Sequence, residues 1–154
     1  MASASEIIRS LSHDDLVVVC SGTNDYELND FSLTFRNIKH YITTNNHTNI
    51  VLMKFPFRYD LTNSLSVNDN ISVPNRRLQK LTKAFSHSTF LGTLENRNLF
   101  TTHGLHRSQL GKKLVNFQLA HFFLPSLTKK IHSQFLSGGG ISVMILPCLV
   151  IQNK

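Results

Sequence analysis

The stretch "LVVVCSGTNDYELND", Leu16 to Asp30, decides how the rest of the chain is read. Leu16 to Cys20 is a continuous apolar run of mostly β-branched residues, the pattern of a strand buried on both faces of a parallel sheet. Ser21, Gly22, Thr23, Asn24 and Asp25 then break the run with residues that favour turns and helix caps. A strand ending this way has two readings. The turn only leads into the next helix, or it presents the Asn24 amide at the carboxyl end of a strand, where open α/β sheets bind ligands.

Outward from this stretch the chain alternates. Ala4 to Leu11 reads as a short helix with Ile7, Ile8 and Leu11 on one side. Phe31 to Thr44 is the clearest helix, because Phe35, Ile38 and Ile42 follow Phe31 at helical spacing. "IVLMKF", Ile50 to Phe55, repeats the buried-strand pattern, and Pro56 stops it. The polar segment Arg58 to Asn75 reads as a loop. Arg76 to His87 is expected to be a basic amphipathic helix, with Leu78, Leu81 and Phe85 opposite Arg76, Arg77, Lys80 and Lys83. Ser88 to Gly92 suits a short third strand, and Ser108 to Phe123 a final helix capped by Ser108. Strands separated by helices argue for an α/β fold with a parallel sheet.

Composition sets outer bounds. The 154 residues suffice for one domain, and 41% apolar content suits a globular chain. Cys20 and Cys148 make no disulfide framework, and Cys20 is expected to act as a small buried hydrophobe. The start, "MASASEIIRSLSHDD", has neither the basic nor the apolar region of a signal peptide. "ISVMILPCLVI", Ile141 to Ile151, is too short to span a bilayer and contains Pro147. A cytoplasmic location is the default, with no membrane contact. The net charge of +7 favours polyanions only loosely. A small flavodoxin-like ligand binder is a further class to weigh, and the lack of a Gly-rich phosphate loop after any strand counts against it.

A second stretch carries chemistry: "FTTHGLHRSQLGKK", Phe100 to Lys113. His103 and His106 flank Gly104 and Leu105. The pair does not make a metal site, since no further ligand cluster completes it nearby. No metal and no organic cofactor are expected.

Taken together, these stretches resemble the SGNH (GDSL-like) hydrolase family. Gly22, Thr23, Asn24 and Asp25 match the family's Gly-x-Asn-Asp block. His103, Gly104, Leu105 and His106 fall on its Asp-x-x-His block, and "VLMKFPFRYDL" looks like the strand and loop between them. The resemblance covers about Ser10 to Phe123 and implies a truncated flavodoxin-like three-layer sandwich. It also implies an ester substrate and two roles. Asn24 would donate to the oxyanion, with Gly22 permitting close approach. His106 would be the general base for a serine nucleophile.

Two departures qualify the resemblance. The family's Gly-Asp-Ser nucleophile block is absent from this sequence, and the position of the acid partner of His106 holds His103. A neutral imidazole cannot stabilise an imidazolium as a carboxylate does. The expectation is therefore an esterase-like domain over residues 1–124, truncated and inactive as written, followed by a tail over 125–154 with no family counterpart. The sheet would be cut to about three strands, with an edge left uncovered. The rival expectation is a non-catalytic basic module that binds nucleic acid or a protein through Arg76, Arg77, Lys80 and Lys83.

Overall fold

The computed structural model describes residues 4–20, 31–62 and 64–137, with the side chains of the last helix described through Leu124. In chain order the elements are α1 (Ala4–Arg9), β1 (Leu16–Val19), α2 (Ser32–Thr44), β2 (Asn49–Met53), α3 (Ser64–Thr82), β3 (Ser88–Leu91), a 3₁₀ turn (Arg97–Leu99) and α4 (Gln109–Ser137). The strands form one open sheet in the order β1-β2-β3, and both pairs are parallel. Val17 lies opposite Ile50 and Val19 opposite Leu52, as expected for two apolar strands joined by a helix.

Strand alternation sorts the core. Val17, Val19, Ile50 and Leu52 share one face of the sheet. They cluster with Ile38 and Ile42 of α2 and Ile71 and Leu78 of α3, so both helices cover that face. Phe55, fully buried just past β2, completes the cluster, with Phe31 and Phe35 packed against it at ring separations of 5.5 and 6.3 Å. On the other face Val51 is buried, while Leu16 and Val18 are half-buried. Cys20 is half-buried rather than fully buried. Its thiol donates to Met53 Sδ at 2.9 Å, joining the ends of β1 and β2.

One expectation is overturned. Arg58 to Asn75 is not all loop, because α3 begins at Ser64 and runs through Pro74 to Thr82. Its buried stripe is Asn68, Ile71, Asn75, Leu78 and Thr82, alternating steps of three and four. The stripe escapes an apolar-periodicity reading because asparagines fill two of its positions. The basic helix expected over Arg76 to His87 is the second half of α3 and stops at Thr82. There Ser88 Oγ donates to the Thr82 carbonyl at 3.0 Å. α4 is longer than the expected Ser108–Phe123. Ser108 caps it as expected, its Oγ accepting from the Gly111 amide at 3.2 Å.

Candidate functional site at the carboxyl end of the sheet

Because the strands are parallel, the segments leaving β2 and β3 emerge from the same edge. The β2 segment, Lys54 to Asp60, is irregular and would strand its backbone groups without help. Two asparagines of α3 supply it. Asn75 Oδ1 accepts from Phe55 N at 2.8 Å, and its Nδ2 donates to Phe55 O at 3.1 Å. Asn68 does the same for Arg58, at 2.7 and 3.0 Å. Each side-chain amide stands in for a neighbouring strand. This explains why buried asparagines occupy apolar stripe positions.

The β3 segment, Gly92 to Ser108, is organised by Glu95, which is buried. Glu95 Oε2 accepts from Phe57 N at 2.9 Å, tying the two segments together. Its Oε1 accepts from Thr93 Oγ1 at 2.5 Å and from Arg107 Nη2 at 2.6 Å. Arg107 also donates to the Leu94 carbonyl at 2.7 Å, and Tyr59 Oη donates to the Glu95 carbonyl. Lys54 reaches the same region, with Nζ 4.4 Å from the Phe57 ring centre. Burial holds its ammonium below the usual lysine range, with Glu95 opposing the shift and Arg107 adding to it.

The turn that carries His103 and His106 sits on this platform. Thr101 N donates to His106 O at 2.7 Å and Gly104 N to Thr101 O at 2.9 Å, closing the turn. Arg97 donates to the carbonyls of Thr101 and Thr102 at 2.8 and 2.7 Å. Gly104 has φ of 82°, and its carbonyl accepts from Tyr59 N at 3.1 Å. A side chain there would meet the Tyr59 carbonyl and come within 2.7 Å of Asp60 N, so both conformation and space require glycine. The neighbouring Arg58 is buried and grips Asp60 with two bonds, Nε to Oδ1 at 2.7 Å and Nη2 to Oδ2 at 2.6 Å. These bonds are the main reason the Asp60 carboxyl lies below its ordinary range. Burial acts against the shift, and the charge of His106 adds to it.

The geometry thus brings the His103–His106 turn onto the loop after β2. Both imidazole-bearing residues are exposed. Gly22 and Asn24 lie outside the described residues. Arg76, Arg77, Lys80 and Lys83 are all exposed, as expected of a solvated basic face, and Arg77 also lies over the Phe35 ring at 4.5 Å. Among the described residues no three His, Cys, Asp or Glu side chains gather as a metal would require, and no helix is long and apolar enough to cross a membrane. Sequence reading missed Asn68, Asn75, Glu95 and Arg58. The steps of three and four through residues 68–82 were the one available signal. The chain matches no protein-family model, and no curated protein or solved structure matches it at a significant level.

Proposed function

We propose that the chain is an SGNH-type, esterase-like domain that carries the base and an oxyanion donor of an ester-hydrolysing site but not its nucleophile. The observation that supports this reading is the His106 turn docked at the carboxyl edge of a parallel sheet, on the loop after the middle strand. His106 is exposed there, on a turn fixed by backbone bonds, as a base that must meet an incoming hydroxyl needs to be. Asn24 would offer a neutral donor to the developing oxyanion, and Gly22 would let the backbone approach. The sequence contains no Gly-Asp-Ser triplet, so the attacking hydroxyl is not supplied by that block here.

The test is hydrolysis of p-nitrophenyl acetate by the purified chain beside equimolar free histidine. Parity is expected, because a base without a positioned nucleophile loses most of the rate enhancement of such a site. Saturable turnover that disappears in His106→Ala, with an acyl group left on a residue of this chain, would overturn the assignment of a missing nucleophile. A second reading draws on the exposed Arg76, Arg77 and Lys80 in the last turns of α3 and on Lys83 just past it. They would hold a polyanion weakly and without sequence preference. Binding to a labelled single-stranded oligonucleotide should then fall steeply with salt and weaken in the Arg76→Glu, Arg77→Glu, Lys80→Glu variant.

A further inference from the structure

We propose that α2 and α3 together form one basic face for the phosphodiester backbone of nucleic acid. Arg36 and Lys39 of α2 join Arg76, Arg77 and Lys80 of α3 and Lys83 just past it. The proposal deepens the second reading above and rests on it for the class of ligand. Its own content is the second helix, which only the packing of the fold brings in. α2 and α3 cover the same face of the sheet, and the Arg77 guanidinium lies 4.5 Å over the Phe35 ring. That contact sets the two helices side by side at one level. Lys39 follows Phe35 by one helical turn, so it stands on the side of α2 turned toward α3. Arg36 adjoins Phe35, and Lys80 follows Arg77 by three residues on the outward side of α3. The cations therefore run across both helices as a band, and all six are exposed.

No carboxylate on these elements neutralises the band. The sequence contains no Asp or Glu from residue 31 to 59, nor from 70 to 94. Along α3 the nearest one is Asp69, two turns before Arg76. Neither the Arg58–Asp60 pair nor the Arg107–Glu95 pair engages any of the six cations. Like charges held together on rigid helices create a field that draws a polyanion. The residues among them favour a phosphate backbone over a protein. A protein interface is built around an apolar core. Beyond the Phe35–Arg77 contact, the exposed residues beside these cations are His40, Thr43, Gln79 and Ala84, all polar or small.

The experiment is fluorescence anisotropy with a labelled oligo-dT strand between about 50 and 200 mM salt. It compares the parent chain with Arg36→Gln/Lys39→Gln, Arg76→Gln/Lys80→Gln and Lys112→Gln/Lys113→Gln, the last removing the same charge from α4. Six phosphate contacts on a single strand give a log–log salt slope of about −4, and four give about −3. The α2 pair and the α3 pair should each weaken binding about tenfold or more at low salt and flatten the slope alike. The α4 pair should keep the parent's slope. A parent slope of about −3 that the α2 pair leaves unchanged would overturn the two-helix face and keep the second reading. An equal loss in the α4 pair would reduce the effect to net charge and overturn the face as well. No binding by the parent at low salt would remove the second reading and the face with it. Poly-glutamate that displaces the strand at a lower concentration of charge would assign the face to an acidic protein and overturn the phosphodiester ligand. Should a variant fail to fold, amide shifts of the parent chain decide. Those of Arg36 and Lys39 should move with those of Arg76 and Lys80 on one binding curve, and shifts confined to α3 would overturn the proposal.

Discussion

Replacing Glu95 with leucine should be among the most damaging single changes in this protein. The Glu95 side chain is 5% exposed and that of Arg107 14%, so the ion pair lies largely out of water. The change removes the acceptor of three groups at once: the Phe57 amide, the Thr93 hydroxyl, which still accepts from Arg107 Nη2 at 3.0 Å, and the Arg107 guanidinium. Breaking a buried pair from one side costs about 3–5 kcal/mol. Arg107 keeps its bond to the Leu94 carbonyl, which argues for the lower end, about 3 kcal/mol, still a large share of a typical stability. Removing both partners in Glu95→Leu/Arg107→Met leaves no stranded charge. The double variant should therefore lose less than the two single losses added, with a coupling of about 1.5 kcal/mol or more. Urea unfolding of the four proteins, read as a double-mutant cycle, measures both quantities. A cost below about 1 kcal/mol for Glu95→Leu, or strict additivity, would refute the role of Glu95 as the hub of the β3 segment.

Three further outcomes are expected. Asn75→Leu leaves the N–H and C=O of a fully buried Phe55 without partners and should cost about 2–4 kcal/mol in the same unfolding assay, although leucine suits the stripe better by hydrophobicity. Gly104→Ala should speed hydrogen exchange at Tyr59 N–H and lower the unfolding midpoint, because the turn must lift off the Tyr59–Asp60 backbone to admit a Cβ. The Asp60 carboxyl is lowered in the folded state, mainly by Arg58. Its contribution is therefore complete above the unfolded carboxyl range and lost as the pH falls through the folded value. Urea midpoints of the parent and Asp60→Asn should accordingly converge in acid and separate toward neutral pH.

What was legible in the sequence follows from where the free energy comes from. β1, β2 and α2 announce themselves because burial of apolar side chains makes them, and that leaves a trace: the apolar runs "LVVV" and "NIVLM" and the Phe31, Phe35, Ile38, Ile42 spacing. The first half of α3 left no such trace. Its inward face carries Asn68 and Asn75, whose work is hydrogen bonding to an irregular segment 10 and 20 residues away in the chain. Pro74, which reads as a helix breaker, is buried inside the helix. The ion pair of Glu95 with Arg107 is likewise invisible in one dimension, because neither residue belongs to a periodic segment and only the fold brings them together. The turn at His103–His106 was legible as a motif, but its seat on Tyr59 and Asp60 was not. That contact depends on β2 and β3 lying side by side and leaving the sheet at the same edge.

The esterase-like function proposed above requires Asn24 and His106 to act on one tetrahedral intermediate of an ester. The most direct measurement is an NMR titration of the chain with p-nitrophenyl methylphosphonate, a stable anion of that shape. The account predicts that the Asn24 side-chain amide and the His106 ring resonances shift on one binding curve. Asn24→Ala or His106→Ala should each weaken that curve about tenfold, the loss expected for one hydrogen bond to a charged group. Shifts confined to Arg76, Arg77, Lys80 and Lys83, or a His106 response that leaves Asn24 unmoved, would contradict it.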